Sequence, residues 1–348
     1  MTNPETNPET TNPETTNPET TNPETTNPGT HANPVPLYYD TDLGIDDSMA
    51  LAYLLASPEV EVKGVGTVSG NCSAAQAARN TLDLLGLAQR TDIPVAVGCA
   101  DWLTKKFDGG SPEVHGGNGV GDVTLPRSSA EPAEEHAVDM LIRLVHENPG
   151  RLRILGVAPL TNLATAVRKD PGIVELVESV VLMAGAALVP GNMTPVSEAN
   201  VMHDPEAAEI VFGAPWKIVM VGMDVTMQHR FEEEDRLALL ESGKPVARAL
   251  GAMLDSYANF YFTVFGRRSV ALHDPLAAAV ACGTVPLADA PVVNVVVDAT
   301  DGPGRGQTIC DLRGRFREYP DQEGAHTQVI LQTQQPFAPE LLKRLLSL

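Results

Sequence analysis

From Val35 onward, short runs rich in apolar and β-branched residues alternate with amphipathic stretches. This alternation constrains the fold more than any other feature. The runs predict strands at 35–39, 60–68, 93–97, 152–156, 179–183, 217–222 and 292–298. The stretches predict helices at 46–56, 73–86, 134–147, 161–168, 204–212, 233–262 (broken near Gly243) and 274–281. Such a pattern implies an α/β fold: an open, mostly parallel, Rossmann-like sheet with helices on both faces. In sheets of this kind ligands bind beyond the carboxyl ends of the strands. The residues that follow each strand are therefore the place to look for chemistry.

Residues 1–33 read differently. They are a near-perfect Thr-Asn-Pro-Glu-Thr repeat with no large apolar residue between Met1 and His31. A segment that cannot bury apolar surface cannot offset the entropy of ordering, so a disordered tail is expected there and a single domain over 34–348. Asp and Glu total 45 against 24 Lys and Arg, a net charge of −21. Such a surface repels phosphate backbones and argues against nucleic-acid binding, although a nucleoside carries no phosphate. No apolar run reaches the roughly 18 residues of a membrane span, and no basic-then-apolar leader is present. A cytoplasmic protein is expected. Cys72, Cys99, Cys282 and Cys310 lack C-x-x-C spacing, which favours reduced thiols over a zinc site or disulfides.

After the first strand comes Asp40-Thr41-Asp42-Leu43-Gly44-Ile45-Asp46-Asp47, then a helical pattern. Four carboxylates so close together repel one another unless a cation compensates. Oxygen ligands suit Ca²⁺ or Mg²⁺, and clustered carboxylates suit Ca²⁺ best. Helix capping explains one or two of the four acids. An EF-hand loop counted from Asp40 fails, because Gly44, Ile45 and Leu51 occupy its fifth, sixth and twelfth positions. Asp40-x-Asp42 also resembles the start of a haloacid-dehalogenase-like phosphatase. Gly44 stands where that motif has Thr, and Asp46-Asp47 has no role in it.

Further polar elements follow later strands. Ser69-Gly70-Asn71 closes the second strand, where an Asn is ordinarily a turn or cap residue. Val157-Ala158-Pro159-Leu160-Thr161-Asn162 follows the strand at 152–156, with Thr161 readable as a helix cap. Met183 opens a loop that carries Asn192, Glu198 and Asn200, groups that are solvated or that converge on a ligand. His273-Asp274-Pro275 opens a helix. Tyr257 and Tyr261 stand four apart on a helix, as core or as a ligand wall. The glycine-rich run Gly109–Gly119 around His115 reads as a flexible, hinge-like loop.

Taken together these segments resemble the inosine–uridine-preferring nucleoside hydrolases. Asp-Thr-Asp-x-Gly-x-Asp-Asp, Gly-Asn, Pro-Leu-Thr-Asn, N-x-x-x-x-x-E-x-N with D-P-E, and His-Asp-Pro all occur, and His115-Gly-Gly-Asn-Gly is similar to that family's mobile loop. Leu43 replaces the usual Pro, and Ala199 an aromatic residue. The resemblance implies the nucleoside hydrolase fold and an N-ribosyl hydrolase that splits ribonucleosides into ribose and base. It implies Ca²⁺ held by Asp42, Asp47, Asp274 and the Val157 carbonyl. Asp42 is then the general base and His273 the group that protonates or polarises the base. Asp46, Asn71, Met183, Asn192, Glu198 and Asn200 hold the sugar side, and Tyr257, Tyr261 and His115 contact the base. A homodimer or homotetramer is implied as well. The competing readings are the phosphatase built on Asp40 and a non-catalytic nucleoside-binding protein.

Overall fold

A strand covered on both faces needs apolar residues throughout, and β1 (Val35–Thr41) is buried at every residue but its first. The computed structural model describes residues 33–348. The disorder expected of residues 1–33 falls, but for Asn33, outside the described residues. After β1 come α1 (Ile45–Leu55), β2 (Val60–Thr67), α2 (Ala74–Leu87), β3 (Val95–Val97) and the short α3 (Pro112–His115). Next are α4 (Ala137–Glu147), β4 (Arg153–Gly156), α5 (Thr161–Lys169), α6 (Ile173–Leu176) and β5 (Ser179–Leu182). The short α7 (Ala199–His203), α8 (Pro205–Gly213) and β6 (Ile218–Met220) complete a six-strand parallel core.

Its strands lie in the order β6-β5-β4-β1-β2-β3. The order reverses between β1 and β4, the switch point at which open α/β sheets bind ligands. Side chains alternate across the sheet as strand geometry requires. Tyr39, Leu155, Val181 and Val219 join one apolar core with α1, α2 and later helices. Tyr38, Ile154, Val180 and Ile218 join the other, with α4, α5 and α8.

The remaining chain closes one end of this core. It runs through α9 (Met223–Thr226), β7 (Arg230–Glu232), α10 (Glu233–Glu241), α11 (Pro245–Phe265), β8 (Ser269–Ala271) and α12 (His273–Ala281). Strands β7 and β8 pair antiparallel. The stretch expected to be helical over 233–262 with a break near Gly243 is two helices parted at Ser242–Lys244, with Pro245 at the first position of α11. Then follow β9 (Leu287–Asp289), β10 (Val292–Val293), β11 (Val295–Val297), β12 (Thr308–Cys310), β13 (Thr327–Val329), β14 (Gln332–Thr333) and α13 (Ala338–Leu345).

The single strand expected at 292–298 is in fact two. β10 is the antiparallel edge of the main sheet, while β11 leaves it to pair with β12. β13 adds to β6 in parallel, so the sheet gains its seventh and eighth strands from the C-terminal sixty residues. Helix α13 buries Leu341 and Leu345 and packs on α1. Its Arg344 bonds Glu59 and Ser57 in the turn after α1.

Candidate active site

The turn between β1 and α1 closes on its own side chains. Thr41 Oγ1 donates to Asp47 Oδ1 at 2.5 Å and accepts from the Leu43 amide at 3.1 Å. Asp47 Oδ2 accepts from the Gly44 amide at 2.8 Å, holding the helix start by its third residue. A side chain at 44 would place Cβ 2.6 Å from both Asn71 Nδ2 and His115 Nδ1. Any larger residue would have to push the Asn71 and His115 side chains aside. Asn71 then ties the acids together. Its backbone amide donates to Asp42 Oδ2 at 2.5 Å, and its Nδ2 reaches Asp42 Oδ1 at 3.2 Å and Asp47 Oδ2 at 3.0 Å.

Oxygens of Asp46, Asp47 and Asp274 all lie within 4.8 Å of one another, and all three residues are buried. Burial, with the charge of Asp47, pushes Asp46 up to about 7. Burial raises Asp47, and it raises Asp42 and Asp274 well above the carboxylate range, with neighbouring acids adding to both. Among the described residues, the observed ion pairs include none of these four. Buried, mutually repelling carboxylates without a positive partner have the donor chemistry of a hard divalent cation site.

Asp40, counted with this cluster in the sequence, belongs elsewhere. Its Oδ1 accepts from Asn162 Nδ2 at 2.9 Å and from Tyr38 OH at 3.2 Å, and burial pushes it up to about 7. It is still inside the β1 ladder, opposite Gly66 and Gly156, whereas Asp42 lies past the strand end. It does not line the cavity described next, and its Oδ1 is already taken up by Asn162 and Tyr38, which weakens the phosphatase reading.

That cavity, of about 750 Å³, opens above the β1/β4 switch point. Its size suits a ligand of a few tens of atoms. Asp46, Asn71 and Asp274 form its floor, with Val157 and Met183 beside them. Asn192, Glu198 and Asn200 line one side, and His115, Tyr257, Tyr261 and His273 the other. Thus every site residue expected from the sequence lines it except Asp42 and Asp47, which reach it through Asn71.

On the loop side, Glu198 accepts from the amides of Gly185, Asn200 and Val201. Burial still pushes it up to about 7. Asn200 Nδ2 donates to the carbonyls of Val157 at 3.1 Å and Met183 at 3.0 Å. Asn192 Oδ1 accepts from the Ala199 amide at 2.9 Å. On the aromatic side, Tyr257 OH donates to Asp46 Oδ2 at 3.0 Å. Tyr261 OH lies 2.5 Å from His273 Nε2, and His273 Nδ1 lies 2.8 Å from Thr226 Oγ1. Burial pushes His273 down to about 4, so the ring is neutral at pH 7. His115 Nδ1 accepts from the Ile45 amide at 3.1 Å, and burial pushes it down to about 3. The loop around His115 is well tied: Asn118 bonds Val120, Asp122 and Val123, and the Ser111 amide rests on the Asn71 carbonyl.

The family model described as inosine-uridine preferring nucleoside hydrolase matches residues 37–337. The chain belongs to that family. It is 39% identical to uridine nucleosidase 1 of Arabidopsis thaliana over 69% of this chain and 71% of that protein. It is 34% identical to the inosine-uridine preferring nucleoside hydrolase of Crithidia fasciculata over 85% and 92%. Among solved structures, a plant nucleoside hydrolase superposes with a TM-score of 0.83 at 33% identity, covering 90% of this chain and 99% of that one. A nucleoside hydrolase is an N-ribosyl hydrolase, and the open parallel sheet is that family's fold.

Several residues of this nucleoside hydrolase cavity escaped the sequence reading. Phe260 and Val264 line it together with Tyr257 and Tyr261. Positions 257, 260, 261 and 264 are one helical stripe, a signal that was present in the sequence. Thr41 and Thr226 hold Asp47 and His273, but a lone threonine carries no such signal.

Proposed function

We propose that the cavity takes a whole ribonucleoside, with its sugar on the acid floor and its base against the aromatic side, and that hydrolysis depends on Ca²⁺. The carrying observation is the set of buried carboxylates at the floor of a cavity with apolar walls and no positive partner. Asp42, Asp47, Asp274 and the Val157 carbonyl would hold the ion, with the Asp46 carboxylate close beside them. When bound, a divalent cation supplies charge compensation and acidifies water at the site.

The chain's own groups do the rest. Asp42, oriented by two bonds from Asn71, takes the proton of the water that attacks C1′. Asp46 accepts the ribose 2′-hydroxyl, while Asn192, Glu198 and Asn200 hold the 5′- and 3′-hydroxyls, so that sugar binding fixes the reactive conformation. The C1′–N bond breaks, its electron pair leaves with the base, and the base gains a proton or a hydrogen bond. A neutral His273 linked to Tyr261 and Thr226 supports donation from an N–H rather than from a standing imidazolium.

All four cysteines are free, which supports a reducing, cytoplasmic setting. Val296 and Ile309, paired across the β11–β12 hairpin, and Phe316 are exposed apolar side chains, as subunit contacts of a dimer or tetramer require.

A panel of nucleosides, including inosine and uridine, assayed with calcium and with excess chelator, tests the reading. Free base and reducing sugar are expected in equal amounts, lost on chelation and restored by calcium. Phosphate release without ribose, or binding without cleavage, overturns it. Full turnover in chelator overturns the calcium dependence alone.

A further inference from the structure

We infer that Thr308, on the β11–β12 hairpin, is a positioning residue for the sugar-holding loop, and so for recognition of the ribose 5′-hydroxyl end. The inference rests on the proposed role of Glu198 and Asn200.

Within residues 183–188, five of the six residues have a backbone group held by a named side chain. Asn200 Nδ2 donates to the Met183 carbonyl at 3.0 Å, and the Gly185 amide donates to Glu198 Oε2 at 2.9 Å. The amides of Ala187 and Leu188 both donate to the Asp224 carboxylate at 2.7 Å. Between them, Ala186 is clamped at both ends by one hydroxyl. Its amide donates to Thr308 Oγ1 at 3.0 Å, and Thr308 Oγ1 donates to its carbonyl at 2.8 Å. Thr308 is 2% exposed, so water cannot readily replace either bond. The approach is close enough that a Cβ on Gly185, at φ +75°, would lie 2.6 Å from Thr308 Oγ1.

The hairpin that presents Thr308 is itself anchored. Arg305 at its turn pairs with Glu206 on α8 at 2.7 Å, and its other guanidinium nitrogen donates to the Ala299 carbonyl. The Arg305 carbonyl accepts from Ser197 Oγ at 2.5 Å, next to Glu198. The hairpin therefore touches the sugar loop at both ends, at Ala186 and at Ser197, without lining the cavity. The Gly185 amide is one of the donors that set the Glu198 carboxylate, so movement at Ala186 moves Glu198.

The test is Thr308→Val in the full chain, assayed on inosine and uridine and on their 5′-deoxy forms. The valine keeps the shape and removes both bonds. We expect kcat/KM on the intact nucleosides to fall roughly tenfold, mainly through KM, the scale of a buried peptide group left without its partner. The 5′-deoxy forms should change little, so the preference for the 5′-hydroxyl collapses, and Thr308→Ser should restore it. Ser197→Ala, which loosens the other end, should give the same signature more weakly and serves if the valine variant does not fold. Equal losses on intact and 5′-deoxy substrates, or unchanged kinetics in both variants, overturn the inference, as does wild-type enzyme indifferent to the 5′-hydroxyl. Wild-type protein that cleaves no nucleoside instead sinks the proposed function itself.

Discussion

Two groups of acids border the same cavity, and the fold treats them in opposite ways. Glu198 accepts from the amides of Gly185, Asn200 and Val201, which set its carboxylate at the cavity wall. Asp46, Asp47 and Asp274 are gathered within 4.8 Å and receive no positive partner from the chain. One buried acid stands alone among backbone amides, while three stand close enough to repel one another and so invite a cation.

The largest effect that separates the two is expected from Asp42→Ala. Removing the proposed general base should cut turnover on inosine and uridine by on the order of 10²–10⁴-fold. Steady-state assays that found the mutant as active as wild type would place the base elsewhere. His273→Ala comes next. A loss of roughly 10²-fold is expected on natural nucleosides, and far less on p-nitrophenyl riboside, whose leaving group needs no proton. Equal losses on both substrates would remove the leaving-group role.

Glu198→Gln should give the smallest effect, and one visible in stability. Burial holds the Glu198 carboxyl at about 7, above the ordinary value of 4.5. The folded chain therefore binds a proton there that the unfolded chain releases, and its contribution to stability is present below pH 4.5 and lost as pH rises through 7. Melting curves of wild type should thus lose ground between pH 4.5 and about 7 relative to the Gln variant, which does not titrate. Parallel curves would mean that the amides already keep Glu198 ionised.

The difference in legibility follows the same division. The strands from β1 to β6 could be read because each is a short, largely apolar run followed by a helical pattern. Asp46, Asn71 and Asp274 could be read because they stand directly after strands or at helix starts, where the fold delivers them to one point. Asp40 was misgrouped because proximity in sequence does not reveal that the ladder still governs it, while Asp42 is already free of the pleat. β13 was missed because three residues, Thr327–Val329, carry too little periodicity, and its place between β6 and β10 is a long-range pairing. Thr226 and Thr308 act through single hydroxyls and leave no pattern at all.

Helix α13 has a consequence for anyone shortening this chain. None of its residues lines the cavity, yet it packs on α1, the helix whose first turn carries Asp46 and Asp47. A protein cut after Phe337 would retain every group that lines the cavity and lose a brace on the helix that carries two of the acids. Inactivity in such a truncation would report on mechanics at a distance and leave the chemistry unexamined.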